Sequence, residues 1–325
     1  DVEPAAPPPL TAQPEDIPLT VLYEDAGCVV IDKPAGITSH DVVNRARRLF
    51  KTKRVGHTGT LDPDATGVLV LCIGYATRVA EYLSSAHKSY VAEVVFGLET
   101  DTQDASDNTI AERSAAHIPQ ADVQALCARF TGKQLQTPPM VSALHHEGKR
   151  LYELAREGIT VERTPREIEI SECLLLEFTA GEHPCARIAV TCSTGTYIRT
   201  LSADMGEAVG TGAVMHSLRR TQVGTSSHPF TLENAFTLEQ LQELAESDRL
   251  AESVIPLRWA LQGWLQIPLP ETSLRDIQQG RTVMVSEKSD VERVAICDST
   301  GEVVALGNLS AGALRPTKVL VGGVS

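Results

Sequence analysis

Gly56-His57-Thr58-Gly59-Thr60-Leu61-Asp62-Pro63-Asp64-Ala65-Thr66-Gly67-Val68-Leu69 is the stretch on which the reading of this chain turns. Three glycines, a proline and three threonines rule out a regular helix or a long strand, so the backbone here is a tight loop of special geometry. The loop carries a histidine and two carboxylates. It runs directly into Val68-Leu69-Val70-Leu71-Cys72-Ile73, an apolar run that reads as a buried strand. Reactive groups on a loop anchored by a buried strand form a candidate site.

Outward from the loop, composition sets the bounds. The 325 residues suffice for one large or two ordinary domains, and no apolar run reaches the roughly 20 residues that span a bilayer. Seven cysteines are scattered without a Cys-x-x-Cys pair, the pattern of buried free thiols in a reducing, cytoplasmic setting. A net charge of -13 argues against a polyanionic partner. Its distribution reverses that argument: from Lys33 to Arg54 seven basic residues face a single acid, Asp41. A solvated helix face is the plain alternative, but beside the glycine loop the cluster suits a phosphate-binding edge.

Residues 1–18, with six prolines, read as a disordered tail. Leu19–Tyr23 and Cys28–Ile31 read as strands, and Ser39 is placed to cap a helix bearing Val42, Val43, Ala46, Leu49 and Phe50 on one face. A short helix is expected over Thr77–Leu83, a strand over Lys88–Phe96 with Tyr90, Ala92, Val94 and Phe96 on one side, and a helix over Gln120–Phe130. Gly148–Gly158 reads as a basic loop feeding a short helix, a second phosphate-contacting surface together with Arg163 and Arg166. Strands follow at Glu167–Phe178 and Ala186–Cys192. The Ser193–Leu201 segment then repeats the strand-turn pattern and opens a helix with Arg199 in its first turn. A cation there opposes the helix dipole, which calls for an acidic partner elsewhere. Thr237 and Gln240 form a capping box. Beyond Pro268, short strands at 282–286, 292–297, 302–306 and 318–321 suggest a small β-barrel-like module.

Taken in order, Asp32–Ser39, the glycine loop, Lys88-Ser89-Tyr90, Thr100–Asp104, Pro138–Leu144, Leu151–Arg156, Gly195–Leu201 and Leu218-Arg219-Arg220 resemble the TruB family of tRNA pseudouridine synthases, of a bacterial, actinobacterial-like type. The resemblance runs over about 19–224, and the β-rich tail resembles a PUA-like RNA-binding module. It implies an α+β pseudouridine synthase fold with a mixed, mainly antiparallel sheet flanked by helices. The implied organisation is a tail (1–18), a catalytic domain (19–255) with an RNA-binding insertion at about 137–166, and a PUA-like domain (265–325). The implied activity is an isomerase converting uridine to pseudouridine in the T-arm loop of tRNA, position 55. The base leaves its stack, is cut at N1, turned, and rejoined at C5. That rearrangement has no net redox or hydrolysis, so no cofactor or metal is expected; nor is a membrane or an obligate protein partner, and a monomer is the default.

By the same resemblance Asp62 is the nucleophile, attacking the sugar, attacking the base or assisting elimination, and Arg199 holds it anionic in a dry cleft. Tyr90 stacks on the flipped base and helps move a proton. His57 fills the vacated stack, Tyr197 and Leu218 line the uracil pocket, and Lys33 holds the loop or a phosphate. The sequence departs from the family at Asp64, where an apolar residue is common, at Thr194, where lysine or serine is usual, and at His145-His146, where a lysine follows Ala-Leu. The histidine pair predicts pH-sensitive RNA affinity. Two readings from other classes stand beside this one. A metal-dependent hydrolase would use His57, Asp62 and Asp64; an RNA chaperone would need the basic surfaces but not Asp62.

Overall fold

The computed structural model describes residues 27–105, 108–139, 145–146, 149–150, 161, 163–224 and 230–321. The proline-rich tail, the Leu19–Tyr23 strand, most of the 137–166 insertion and the side chains of His145 and His146 lie outside them.

Strands β1 (Gly27–Lys33), β2 (Val55–His57), β3 (Thr66–Ile73) and β4 (Lys88–Phe96) come from the first third of the chain. A small hairpin, β5 (Leu98–Thr100) with β6 (Thr109–Glu112), follows, then β7 (Gly132–Gln136) and a second hairpin, β8 (His145–His146) with β9 (Lys149–Arg150). After these come β10 (Arg166–Thr179), β11 (Cys185–Cys192), β12 (Ala213–Val223) and β13 (Ile255–Pro256). The large sheet runs β13-β1-β3-β12-β4-β11-β10-β7, with β2 on the free half of β3. Every pairing in it is antiparallel except β3 with β12, which is parallel at Thr66 and Gly67. The expected mixed, mainly antiparallel α+β sheet is the one observed.

The unbroken apolar run in β3 has a physical reason: both of its faces are covered. Leu69, Leu71 and Ile73 pack with Val29, Ile31 and the Ser39–Leu49 helix in the main core, whereas Val68, Val70 and Cys72 face a second core with Cys28 and Val30. In β4 only one face is covered, and its residues alternate between buried and half-buried along the strand.

The second core continues into the C-terminal part, through Ala295, Cys297, Val303 and Leu306. These belong to a five-stranded half-barrel, β14-β16-β17-β18-β15, built from β14 (Leu265–Pro268), β15 (Val283–Met284), β16 (Val291–Cys297), β17 (Val303–Ser310) and β18 (Ala313–Val319). It has a core of its own as well, with Ile277 from the Glu271–Gln278 helix at its centre. That helix and β14 escape a search for alternating strands. Six of the seven cysteines are buried, Cys185 is half-buried, and none is in a disulfide. Among the described residues no helix is long and apolar enough to cross a membrane.

One local expectation is corrected. Thr38, not Ser39, caps the first helix: its hydroxyl accepts from the Asp41 N–H at 3.1 Å and the Asp41 carboxylate accepts from the Thr38 N–H at 2.9 Å. Ser39 is freed for another task. It is buried, and its hydroxyl donates to Leu61 O at 3.0 Å and accepts from Leu61 N at 2.9 Å, one residue from Asp62.

Candidate active site

The glycine loop spans the turn between β2 and β3, and charged side chains grip its backbone from two sides. Lys33, at the end of β1 and fully buried, donates to Pro34 O, Ile37 O and Pro63 O, each at 2.8 Å. Arg220, 1% exposed in β12, donates through Nε to Val68 O at 2.7 Å and through its terminal nitrogens to Thr60 O at 3.3 Å and Gly59 O at 3.0 Å. Gly67 makes the approach possible: with φ at +98° a Cβ there would stand 2.1 Å from Arg220 O. Lys33 is driven down to about 8 by burial, against the pull of Asp64 and Asp62. Its three protons go to protein carbonyls, two in the turn that follows β1 and one, Pro63 O, in the glycine loop, so Lys33 ties that turn to the loop.

Held this way, Asp62 projects into a cavity of about 210 Å³ lined also by Leu61, Lys88, Tyr90, the 193–199 turn, Leu218 and Arg220. Arg199, at the start of the Ile198–Ala208 helix, reaches across 137 positions of sequence and sets its Nε 3.2 Å from Asp62 Oδ2. The acidic partner that its awkward place in the helix called for is therefore Asp62. The Arg199 side chain is 8% exposed and that of Asp62 45%, so the carboxylate opens to the cavity and the expected dry cleft is corrected. The buried guanidinium aims the carboxylate.

Tyr90, 8% exposed, rises from β4, and burial lifts its phenol above the ordinary range while neighbouring Arg220 works in the opposite direction. Tyr197 stands where the helix begins. Its peptide is gripped at both ends by Gln136 from β7, which donates to Tyr197 O at 3.1 Å and accepts from Tyr197 N at 2.8 Å. Leu218 lines the cavity from β12 and also packs on the main core. Thus Asp62, Arg199, Tyr90, Tyr197 and Leu218 meet in one place. His57, half-buried at the end of β2, lies outside the cavity lining, and so does Lys33.

Sequence reading passed over Lys88, Arg220, Gln136 and the bridging role of Ser39. Two of these had a signal in the strand period. Residues two apart share a face, so Tyr90 implicates Lys88 and Leu218 implicates Arg220. The register agrees, since Arg220 pairs with Tyr90 across β12 and β4. Arg219, facing the other way, pairs with Asp32 at 2.7 Å.

With this geometry in view, comparison with known proteins places the chain. A family model described as "TruB family pseudouridylate synthase (N terminal domain)" matches residues 47–198, and one described as "tRNA pseudouridylate synthase B C-terminal domain" matches residues 199–262. The tRNA pseudouridine synthase B of Bacillus subtilis (strain 168) is 39% identical over 305 residues, 91% of this chain and 97% of that protein. That of Symbiobacterium thermophilum is 49% identical over 219 residues, 67% of this chain and 71% of that protein. The fold matches a chain in the crystal structure of a Cbf5-Nop10-Gar1 complex with a TM-score of 0.71 and 25% identity, covering 99% of this chain and 92% of that one. The chain belongs to the TruB family of pseudouridylate synthases. It is an enzyme, an isomerase that makes pseudouridine from uridine. The half-barrel lies beyond both family matches.

Proposed function

We propose that this isomerase acts on the uridine of the tRNA T-arm loop, position 55, with Asp62 as nucleophile, Arg199 as the cation that orients it, and Tyr90, Tyr197 and Leu218 around the flipped base. The observation that carries the reading is the contact of Asp62 with Arg199 inside a cavity that also contains Tyr90. Supporting the substrate, the relatives named above are tRNA pseudouridine synthases. Supporting RNA contact, Arg45, Arg48, Lys51, Lys53 and Arg54 are all exposed on or just after the Ser39–Leu49 helix. His57 is assigned to the stack the uridine leaves.

The chemistry asks a carboxylate to be ionised and aimed while the base turns, and asks nothing of a redox or metal partner. The Arg199 contact and the grip on the Asp62 loop serve the aiming. The half-barrel is read as the PUA-like RNA-binding domain, joined at about 265 to a catalytic domain that begins near 19, and the chain as a cytoplasmic monomer. The relatives come from Bacillus subtilis and Symbiobacterium thermophilum, which lends the actinobacterial-like type no support.

The test is incubation with an unmodified tRNA transcript and with the same transcript carrying cytidine at position 55. Wild type is expected to form one pseudouridine in the first and none in the second, and Asp62→Asn to bind both and form none. Product elsewhere in the tRNA, or product from Asp62→Asn, rejects the reading.

A further inference from the structure

Among the described residues four charged side chains line the cavity, and Lys88 is the one to which the proposed function gives no role. It opens β4 two residues before Tyr90 and is 7% exposed. Its ammonium donates to Ser84 O at 3.1 Å, at the end of the Ala80–Ser84 helix, to Ala86 O at 3.2 Å, just beyond it, and to the Thr194 hydroxyl at 3.3 Å. Thr194 in turn donates to Ser84 O at 3.2 Å. The stem of Lys88 lies on the glycine loop: a Cβ on Gly59 would meet Lys88 Cε at 3.1 Å.

One side chain therefore touches both halves of the site. Gly59 is three residues before Asp62, and Thr194 is five before Arg199 on the turn that also carries Tyr197. The three protons of the ammonium are placed on three protein oxygens, so this lysine acts through the protein rather than on the RNA. Threonine at 194 suits that arrangement because its hydroxyl accepts from Lys88; a lysine there would bring a second cation against the first.

We infer that Lys88 is a positioning residue for the isomerisation, its ammonium holding the turn that carries Tyr197 and Arg199 while its stem rests on the loop that carries Asp62. The inference rests on the assignment of Asp62 as nucleophile. Burial brings Lys88 down to about 8, with Arg220 from β12 adding to the effect and Cys192 from β11 opposing it; Asp62 and Arg199 lie across the same cavity. Deprotonation leaves an amine with two N–H donors for three acceptors, so the fixation weakens as pH rises through that value.

Steady-state kinetics on a T-arm stem-loop transcript test it, with wild type, Thr194→Ala, Lys88→Met, their double variant, Lys88→Arg and Asp62→Asn. Thr194 is exposed, so Thr194→Ala isolates the link even should Lys88→Met not fold. It is expected to lower kcat about tenfold with KM within about twofold. Lys88→Met is expected to lower kcat further, and the double variant to be no worse than Lys88→Met, since the link is already cut. The advantage of wild type over Lys88→Met should shrink above about pH 8, whereas Lys88→Arg keeps its own, its charge being permanent. Lys33 titrates in the same range but is present in every variant. Wild-type kcat in Thr194→Ala, multiplicative losses in the double variant, or a pH-independent ratio overturns the inference. An active Asp62→Asn instead overturns the reading beneath it; an inactive one beside undisturbed Lys88 and Thr194 variants removes the positioning role alone.

Discussion

The glycine loop and the joint to the half-barrel are both places where distant segments of chain are locked together, and they are locked by different physics. Around the loop the bonds are directional and charged: Lys33 and Arg220 make six donor contacts to backbone oxygens, and Ser39 adds one donated and one accepted bond at Leu61. At the joint the main agent is area, a core shared between β1, β3 and the half-barrel. On its surface Tyr82 meets Trp264 edge to face at 5.3 Å, and Arg293 sits 5.8 Å from both rings. Lys318 reaches Tyr82 and Glu81 from β18. Directional bonds hold a carboxylate to within a fraction of an ångström and fail when one atom is lost. A shared apolar core is tolerant of single changes and says little about angle.

The contrast can be attacked from its strongest point downwards. Asp62→Asn keeps the shape and removes the nucleophile, so a fall in kcat of at least about 10⁴-fold is expected with RNA affinity retained, measured by single-turnover assay and filter binding. Gly67→Ala forces a methyl onto the Arg220 carbonyl at a positive φ, and a loss of about 3 kcal/mol in urea unfolding is expected, activity falling with it. Lys33→Met leaves Pro34 O, Ile37 O and Pro63 O without their donor. A destabilisation of about 2 kcal/mol is expected, together with a kcat loss that Arg293→Gln does not share.

Protonation sharpens the Lys33 result. The folded chain releases the Lys33 proton at about pH 8 and the unfolded chain near 10.5, so between those values the unfolded state holds more protons and this group makes stability rise with pH. Unfolding midpoints taken from pH 7.5 to 10 should therefore rise for wild type relative to Lys33→Met; parallel curves would mean Lys33 is not held as described. The smallest effect belongs to the joint. Arg293→Gln removes two cation–π contacts and is expected to lower stability by under about 1 kcal/mol with kcat on a stem-loop unchanged. A kcat loss there as large as that of Lys33→Met would erase the distinction between the two regions.

Legibility in the sequence follows the range of the interaction. The β3 strand, the face of β4, the Gln120–Arg129 helix and the Thr237 capping box depend on residues within a few positions of one another, and each was readable. The half-barrel showed as short strands, but β14 pairs in parallel with β16, whose paired residues lie about thirty positions away, and nothing local marks such a partner. Ser39 has the chemistry of a cap, and only the approach of Leu61 reveals that it serves the loop instead. Lys33 reads from sequence as a holder of the loop or of a phosphate, and its three carbonyl partners come only with the fold.

What the amino-acid sequence determined by itself was the material of the site: a loop too rich in glycine to be anything else, an aspartate before proline, and an arginine set against its own helix dipole. Those are local facts, written in backbone sterics and short-range electrostatics. The tertiary structure decided which of these groups meet, that the carboxylate stands half open rather than dry, and that buried lysines and arginines hold it there. Such outcomes depend on bringing β1, β3, β4 and β12 into register across almost two hundred residues, and burial and long-range contact come into being only when the chain has folded.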